Sequence, residues 1–377
     1  MNLKINKKFW SACFTLSGAM IGAGILGLPY IFSKSGFFVG FFWLILLGSI
    51  IIFINLCLGE ISLRTKGKHH LIGYAKRYLG KFGEKTMFFL IVFGIYSALI
   101  AYLIGEGQSL SQIFFGNLNY AIFFGIGFWL IMVFLLREGL KGLRRIETWG
   151  VLTIILIIFG FFIYSFSKIK FANLLYVNFS NLLLPFGVIL FAIMGFTSIP
   201  ELRLEIKGQE KLFKKSILIG ILIPIVLYIL FTSVFIGILG SNIPEIVTLG
   251  SNVFINSLGI FTMLTSFFVL SFSLKDLFKF DLKFSNKSSF LFVSLIPLSL
   301  YLIISLFNLL DFIGVIAIGG VICVGLTGIL ILVMNKKAKK HGNRIPEYKM
   351  PLNWFWIIIL SLIFIFGILT ELLKLIS

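Results

Sequence analysis

Apolar runs of about 20 residues recur along nearly the whole chain, separated by short polar segments, a spacing that predicts helices crossing a bilayer. Eleven such runs lie at about 9–31, 37–59, 86–105, 118–136, 148–167, 181–201, 216–239, 250–274, 289–308, 311–334 and 352–373. The first follows three lysines in the manner of a signal peptide. It is too long for one, is rich in glycine, continues through Pro29 and lacks a small-residue cleavage site, so it reads as a retained helix. The longest polar segment, 60–85, leaves no room for a soluble domain. Within it, Leu71 to Phe82 is basic and amphipathic, the pattern of a short helix lying on the membrane face.

The polar segments differ in charge. Segments 1–8, 60–85, 137–147, 201–215, 275–288 and 335–350 hold 29 of the 33 Lys and Arg and 10 of the 14 acids. The alternate segments hold four of each. Basic loops stay in the cytoplasm, which predicts a cytoplasmic N-terminus and an outer C-terminus. The basic run Lys336–His341 is one more such signal. A net charge of +19 would elsewhere suggest nucleic acid. Here 59% of residues are hydrophobic and 12% charged, about half the charge of a soluble domain. The partner implied is therefore the lipid bilayer, with the whole excess on one face and no nucleic acid involved.

The same composition excludes disorder, a soluble enzyme and a disulfide-stapled secreted domain. Cys13, Cys57 and Cys323 stand far apart in apolar runs without a CxxC pattern. His69 and His70 have no carboxylate or thiol cluster nearby, so no metal is assigned to them. Nothing in the sequence bears on oligomeric state.

Two runs carry helix-breaking residues. Gly18, Gly22, Gly24, Gly27 and Pro29 crowd twelve positions of the first, and the sixth contains Gly195-Phe196-Thr197-Ser198-Ile199-Pro200. Glycine and proline weaken an α-helix through backbone entropy and a lost donor. In lipid an unwound turn is tolerated only where protein or a watery cavity surrounds it. Interrupted spans at matching places of two halves point to a transporter site. Small-residue helix packing explains either break alone equally well. The pair, with Gly195 lying 173 residues after Gly22 and each break opening a five-helix half, favours an inverted repeat. Its halves would be 9–168 and 180–334, with 351–377 as an extra helix; five being odd, the second half is inverted.

Each break exposes free N–H groups on one half-helix and free carbonyls on the other. Amides near Ala23 and Gly24 begin the outer half of the first span and suit a carboxylate. Carbonyls near Met194 and Gly195 end the outer half of the sixth and suit an ammonium group. A site with both matches a zwitterion, an amino acid. Phe196 reads either as a cover over the ligand or as ordinary core.

The segment GAMIGAGILGLPYIFSKSGF (18–37) resembles the first-helix signature of amino acid permeases of the amino acid–polyamine–organocation superfamily. The likeness is nearest to the amino acid/auxin permeases and the aromatic amino acid permeases of bacteria. Residues 195–230 resemble their sixth helix and the basic loop after it, 264–278 their eighth, and Ala101-Tyr102 with Gly105 the outer end of their third. The resemblance implies an all-α membrane protein of about eleven helices. It would have the five-plus-five inverted-repeat fold first known from leucine transporters, with helices 1 and 6 broken and an extra C-terminal helix. It also implies amino acid uptake driven by an ion gradient. Carried over, Gly22, Ala23 and Gly24 hold the substrate carboxylate, Gly195, Phe196 and Thr197 form the second break, and Tyr96 and Ser97 line the pocket. Glu60 and Glu205 match acids that serve cytoplasmic gating or loop ion pairs.

The same resemblance places a sodium site at the carbonyls of Gly18 and Ile21 with the hydroxyls of Thr265 and Ser266. Both hydroxyls are equally well read as bonded to their own helix. Proton coupling instead requires an ionisable group inside the membrane. Glu106, Asp311 and Glu371 are the candidates, each near the end of a run, and no lysine lies in the fifth helix between Trp149 and Ser165. Sodium and protons stay open, and no cofactor is implied. Absence of a GxxxxGK[ST] loop excludes an ATP-driven pump within this chain. No catalytic cluster supports a membrane enzyme, no repeated filter motif supports a channel, and the lack of a signalling domain disfavours a sensor.

Overall fold

The computed structural model describes residues 7–138, 143–250, 253–280 and 282–376. The first run becomes two helices, α1 (Lys7–Met20) and α2 (Ala23–Ser35), bent by 58° at Ile21-Gly22. Gly36, with φ of 101°, turns the chain in one residue into α3 (Phe37–Arg64). Helix α4 (Leu71–Phe115) joins the amphipathic segment to the third span across a kink at Gly80, where φ is 75°. Then come α5 (Ala121–Glu138), α6 (Leu143–Ser165) and the single turn α7 (Phe171–Leu174).

The sixth run is also split, into α8 (Pro185–Ala192) and α9 (Ile199–Glu205), with a 3-10 turn at Phe196–Ser198 between them. Helices α10 (Phe213–Leu239), α11 (Val253–Phe280) and α12 (Asn286–Leu306) follow. Helix α13 (Phe312–Gly319) passes through a π-helical segment, Gly320–Gly325, into α14 (Leu326–His341), and α15 (Trp354–Ile376) ends the fold.

Among the described residues, nine helices are long and apolar enough to cross a bilayer, or ten if the bent pair counts as one span. The predicted run 118–136 appears as α5, whose apolar part is shorter than the others. Residues 1–6 and 139–142, parts of two predicted basic segments, lie outside the described residues.

Contacts between loops join segments of like charge. At the basic end, the Lys8 ammonium donates to the Lys207 carbonyl at 3.2 Å, and the Asn343 amide to the Arg64 carbonyl at 3.0 Å. At the other end the Asn178 amide donates to the Ser35 carbonyl at 2.9 Å, and the Lys170 amide to the Gly237 carbonyl at 3.0 Å.

The interrupted spans occupy the centre. Every residue of α8 is buried, and so is Ala23 through Pro29 of α2. Helices at the periphery expose large apolar side chains outward, among them Phe123, Phe134, Ile163, Leu295 and Leu362. A patch of that size belongs against lipid, since in water it would drive association.

Candidate functional site

The site is built from four half-helix ends that meet at the two breaks. Gly24, in the first turn of α2, lies against the last turn of α8: a Cβ there would stand 2.5 Å from the Ala192 Cα. Gly195 lies against the last turn of α1, where a Cβ would meet the Met20 methyl at 2.5 Å. Gly24 is needed for this approach because it meets backbone, whereas Gly195 meets only the ends of the Met20 and Leu16 side chains. Helix α2 begins at Ala23, so its first amides have no acceptor within the helix. Helix α8 ends at Ala192, and the Ser198 amide occupies the Gly195 carbonyl at 3.2 Å. That leaves Ile193 and Met194 as the residues whose carbonyls lie outside both half-helices.

One side chain ties the breaks together. Tyr228 of α10 is fully buried, and its hydroxyl stands 2.8 Å from both the Met20 carbonyl and the Ala192 carbonyl. A phenol has one proton, so the two carbonyls share it. These acceptors end α1 and α8, which places a partial positive charge where two helix dipoles are negative. Tyr228 was not among the residues expected from the sequence.

A second tyrosine was also missed. The Tyr102 hydroxyl of α4 lies against Ser266 and the backbone of Ala23. A Cβ on Gly22 would fall 2.7 Å from that hydroxyl and 3.5 Å from the Ser266 Oγ. Gly22, Ala23, Tyr102 and Ser266 therefore form one cluster. Tyr96, expected in the pocket, instead turns to α12, where its hydroxyl donates to the Phe292 carbonyl at 3.1 Å. Ser97 faces inward: a Cβ on Gly319 would lie 2.8 Å from the Ser97 Cβ and 3.5 Å from the Phe191 ring. Phe196 is 2% exposed and belongs to the core, whereas Thr197 beside it is exposed.

The π-helical segment adds a wall. Gly320 packs on the backbone of Gly187 and Phe191, and the Cys323 thiol approaches the Met194 sulfur at 3.8 Å. Such bulges insert one extra residue per turn and often mark functional sites. The glycines at 319, 320 and 325 were its only trace in the sequence.

Of the four groups expected to hold sodium, Gly18 and Ile21 lie at the end of α1 and in the break. The Thr265 hydroxyl donates within its own helix, to Phe261 and Thr262 carbonyls, each at 3.0 Å. Ser266 is engaged by Tyr102. Each hydroxyl thus has a neighbour within the fold, while its oxygen keeps a lone pair that a donated proton does not use.

The two carboxylates expected to act in gating or loop pairing separate. Glu60 is 0% exposed and fully partnered. It pairs with Arg64 at 2.8 Å and accepts from Asn335 at 3.1 Å and from the Met350 amide at 2.9 Å. This network fastens the 342–350 segment to the basic end of α3. Glu205 accepts from the Thr15 hydroxyl at 2.9 Å, linking the halves of the broken spans nearer that end. The three proton candidates also separate. Asp311 is an exposed helix cap accepting from the Gly314 amide, and Glu371 pairs with Lys374 at 2.8 Å. Glu106, expected near a helix end, is instead 0% exposed, because α4 runs on to Phe115.

The structure superposes on the crystal structure of MhsT in complex with L-phenylalanine with a TM-score of 0.69, over 97% of this chain and 98% of that one. Sequence identity is 15%, so this likeness establishes the shared all-α, leucine-transporter type of fold. Two curated relatives match part of the chain. The tyrosine-specific transport system 1 of Haemophilus influenzae is 26% identical over 60% of this chain and 57% of its own length. Glutamine transporter 2 of Aliivibrio fischeri is 23% identical over 63% of each. The chain thus matches less than two thirds of the length of either relative. Both relatives are transporters, which sets the membrane-enzyme reading aside. The tryptophan/tyrosine permease family model matches residues 5–373, nearly the full length, and the chain belongs to that family.

Proposed function

We propose that this protein is an ion-coupled secondary transporter that carries a neutral amino acid into the cell by alternating access. The substrate would bind as a zwitterion between the two helix breaks. The observation that carries this reading is the pairing of those breaks, with the amide end of α2 packed on the carbonyl end of α8 through Gly24 and Ala192. The substrate carboxylate would take the amides of Gly22, Ala23 and Gly24 with the Tyr102 hydroxyl. Its ammonium group would take the Ile193 and Met194 carbonyls beside Gly195. Ser97, Phe191, Gly319 and the exposed Thr197 would border its side chain, while Phe196 supports the turn from the core. Backbone groups fixed in a dry site bind charge without reorganising, which is why broken spans suit this task.

The family description, the tyrosine and glutamine relatives and the L-phenylalanine of the structural neighbour all support a neutral, often aromatic, substrate. Residues 9–168 and 180–334 are read as the two inverted halves and 351–377 as the extra helix. The basic end is read as cytoplasmic, which puts the N-terminus inside and the C-terminus outside.

Purified protein in liposomes, offered radiolabelled tyrosine, tryptophan, phenylalanine and glutamine, tests this with pH and Na⁺ gradients imposed separately. Accumulation of at least one amino acid under one gradient is expected. No accumulation under either gradient would refute transport, and binding without accumulation would indicate an amino acid sensor.

A further inference from the structure

Glu106 lies on α4 in the half of the bundle away from the basic end. Its side chain is 0% exposed, and neither carboxylate oxygen has a hydrogen-bond partner. The residues on either side show how tightly it is enclosed. A Cβ on Gly105 would meet the Met263 sulfur of α11 at 2.6 Å and the Phe312 ring of α13 at 3.3 Å, and Gly107 packs on the backbone of Ala121 and Gly125 in α5. One turn further along α4, Ser109 is also fully buried, and its hydroxyl is likewise unpartnered.

An ionised carboxylate in this position would cost several kcal/mol without a compensating charge. The titratable groups around it supply none. Tyr102 lies one turn away on α4 itself, Tyr301 of α12 sits at Gly125, and Asp311 with Glu245 stands at the start of α13. None of these four is a cation, and none of the ion pairs among the described residues includes Glu106. Met263 and Phe312, which wall the carboxyl on two sides, supply no oxygen to a metal ion. A proton needs only the carboxyl group.

We propose that Glu106 is a proton-binding site of the transport cycle. It holds one proton on a carboxyl oxygen while the bundle is closed around it, and releases that proton to water when α4, α5, α11 and α13 part on the side away from the basic end. The reading rests on the transport function proposed above. The link to substrate is short. Tyr102 lies four residues before Glu106, on the same helix face one turn inward, and its hydroxyl contacts Ala23 and Ser266 at the first break. A negative charge appearing at Glu106 therefore acts directly on the residue that completes the carboxylate end of the site. Closure with substrate bound requires the proton to return.

The test uses the full-length protein in liposomes and the substrate found in the uptake panel. Glu106→Gln keeps the shape of the protonated acid and removes the titration. It is expected to retain binding and exchange of labelled for unlabelled substrate, to lose accumulation driven by a pH gradient, and to lose the pH dependence of uptake. Proton entry with substrate, read from a pH-sensitive dye inside the liposomes, is expected for the parent protein and lost in the variant. Glu84→Gln, half-buried and paired with Lys76 at the basic end of α4, serves as the control with parental behaviour. Unchanged proton-driven accumulation and an unchanged pH profile in Glu106→Gln would overturn the proposal. Should that variant fail to fold, Glu106→Asp decides: a change from the parent in the infrared carbonyl band of protonated carboxyl groups and in the pH profile of uptake supports the site, and an unchanged band and profile overturn it. Failure of the parent to accumulate any amino acid would refute transport itself. Accumulation driven by Na⁺ alone, with no proton entry, would refute only the role of Glu106.

Discussion

Replacing Tyr228 with phenylalanine keeps the ring in its cavity and deletes only the hydroxyl that joins the two breaks. Two buried carbonyls, those of Met20 and Ala192, each 2.8 Å from that oxygen, lose their shared donor. In soluble proteins an unmet buried acceptor costs about 1–3 kcal/mol. Bonds between membrane helices average nearer 0.6 kcal/mol and reach about 1.7, because the unfolded chain in lipid also finds partners. Two acceptors lost together, with no room for replacement water beside a fully buried ring, place Tyr228→Phe near the upper membrane figure, about 1.5 kcal/mol. As about 1.4 kcal/mol is a factor of ten, substrate affinity should fall roughly tenfold if the hydroxyl holds the binding geometry. Scintillation-proximity binding and thermal unfolding in detergent measure the two effects. Tyr348→Phe is the comparison: it removes a similar bond, 2.9 Å to the Leu56 carbonyl, far from the breaks, and should lower stability without changing affinity. Parental affinity in Tyr228→Phe would show that the hydroxyl does not hold the site.

Three further outcomes are expected. Gly24→Ala places a methyl 2.5 Å from the Ala192 Cα, so backbone must shift, with an expected cost of about 1–3 kcal/mol and loss of uptake. Gly160→Ala, with open space around it, should transport normally, and equal activity of both variants would refute the close-packing argument. Glu60→Ala leaves a part-buried Arg64 and the buried Met350 amide without their partner, which should show as a lower unfolding temperature; an unchanged temperature would deny the network any role in stability. At the opposite end, burial and the neighbouring Asp311 carboxyl, which also hydrogen-bonds to it, push Glu245 up to about 7. A raised carboxyl favours the protonated, docked loop, so the stability it adds is complete below the usual carboxylate range and is lost as pH rises through about 7. Hydrogen exchange in residues 241–249, corrected for intrinsic rate, should accelerate above neutral pH in the parent and not in Glu245→Gln; a pH-independent parent would contradict the shift.

Both breaks were legible in the sequence because their cause is local. Glycine and proline weaken a helix wherever the chain lies, so the clusters around Gly22 and Gly195 mark the interruptions from composition alone, although Gly24, Gly27 and Pro29 themselves continue α2. The register of α4 was not legible, and its error explains the misplacement of Tyr96. Glu106, Gln108, Ser109, Ser111 and Gln112 end the apolar run, which suggests a helix end near 105, yet α4 continues to Phe115. Hydropathy measures fitness for lipid, and those residues face protein. Tyr102, six residues after Tyr96, is the tyrosine of α4 that adjoins Gly22 and Ser266 at the first break. Tyr228 had no local signature at all: its meaning comes from two carbonyls located 208 and 36 residues away along the chain. The rearrangement at Gly320–Gly325 was equally silent, since a π-helical turn depends on the neighbours packed against it.

Contacts made by peptide groups have a property that side-chain contacts lack. No point substitution, proline apart, deletes an N–H, and none deletes a carbonyl, so the groups at the ends of α2 and α8 persist through nearly any mutation that preserves the fold. On the function proposed above, what every α-amino acid has in common would be read by the part of the protein least able to change. What differs among amino acids would be left to Ser97, Phe191, Thr197 and Gly319, each replaceable by a single codon change. A scaffold divided in this way can drift from one substrate to another in small steps while its grip on the common core of all of them stays intact.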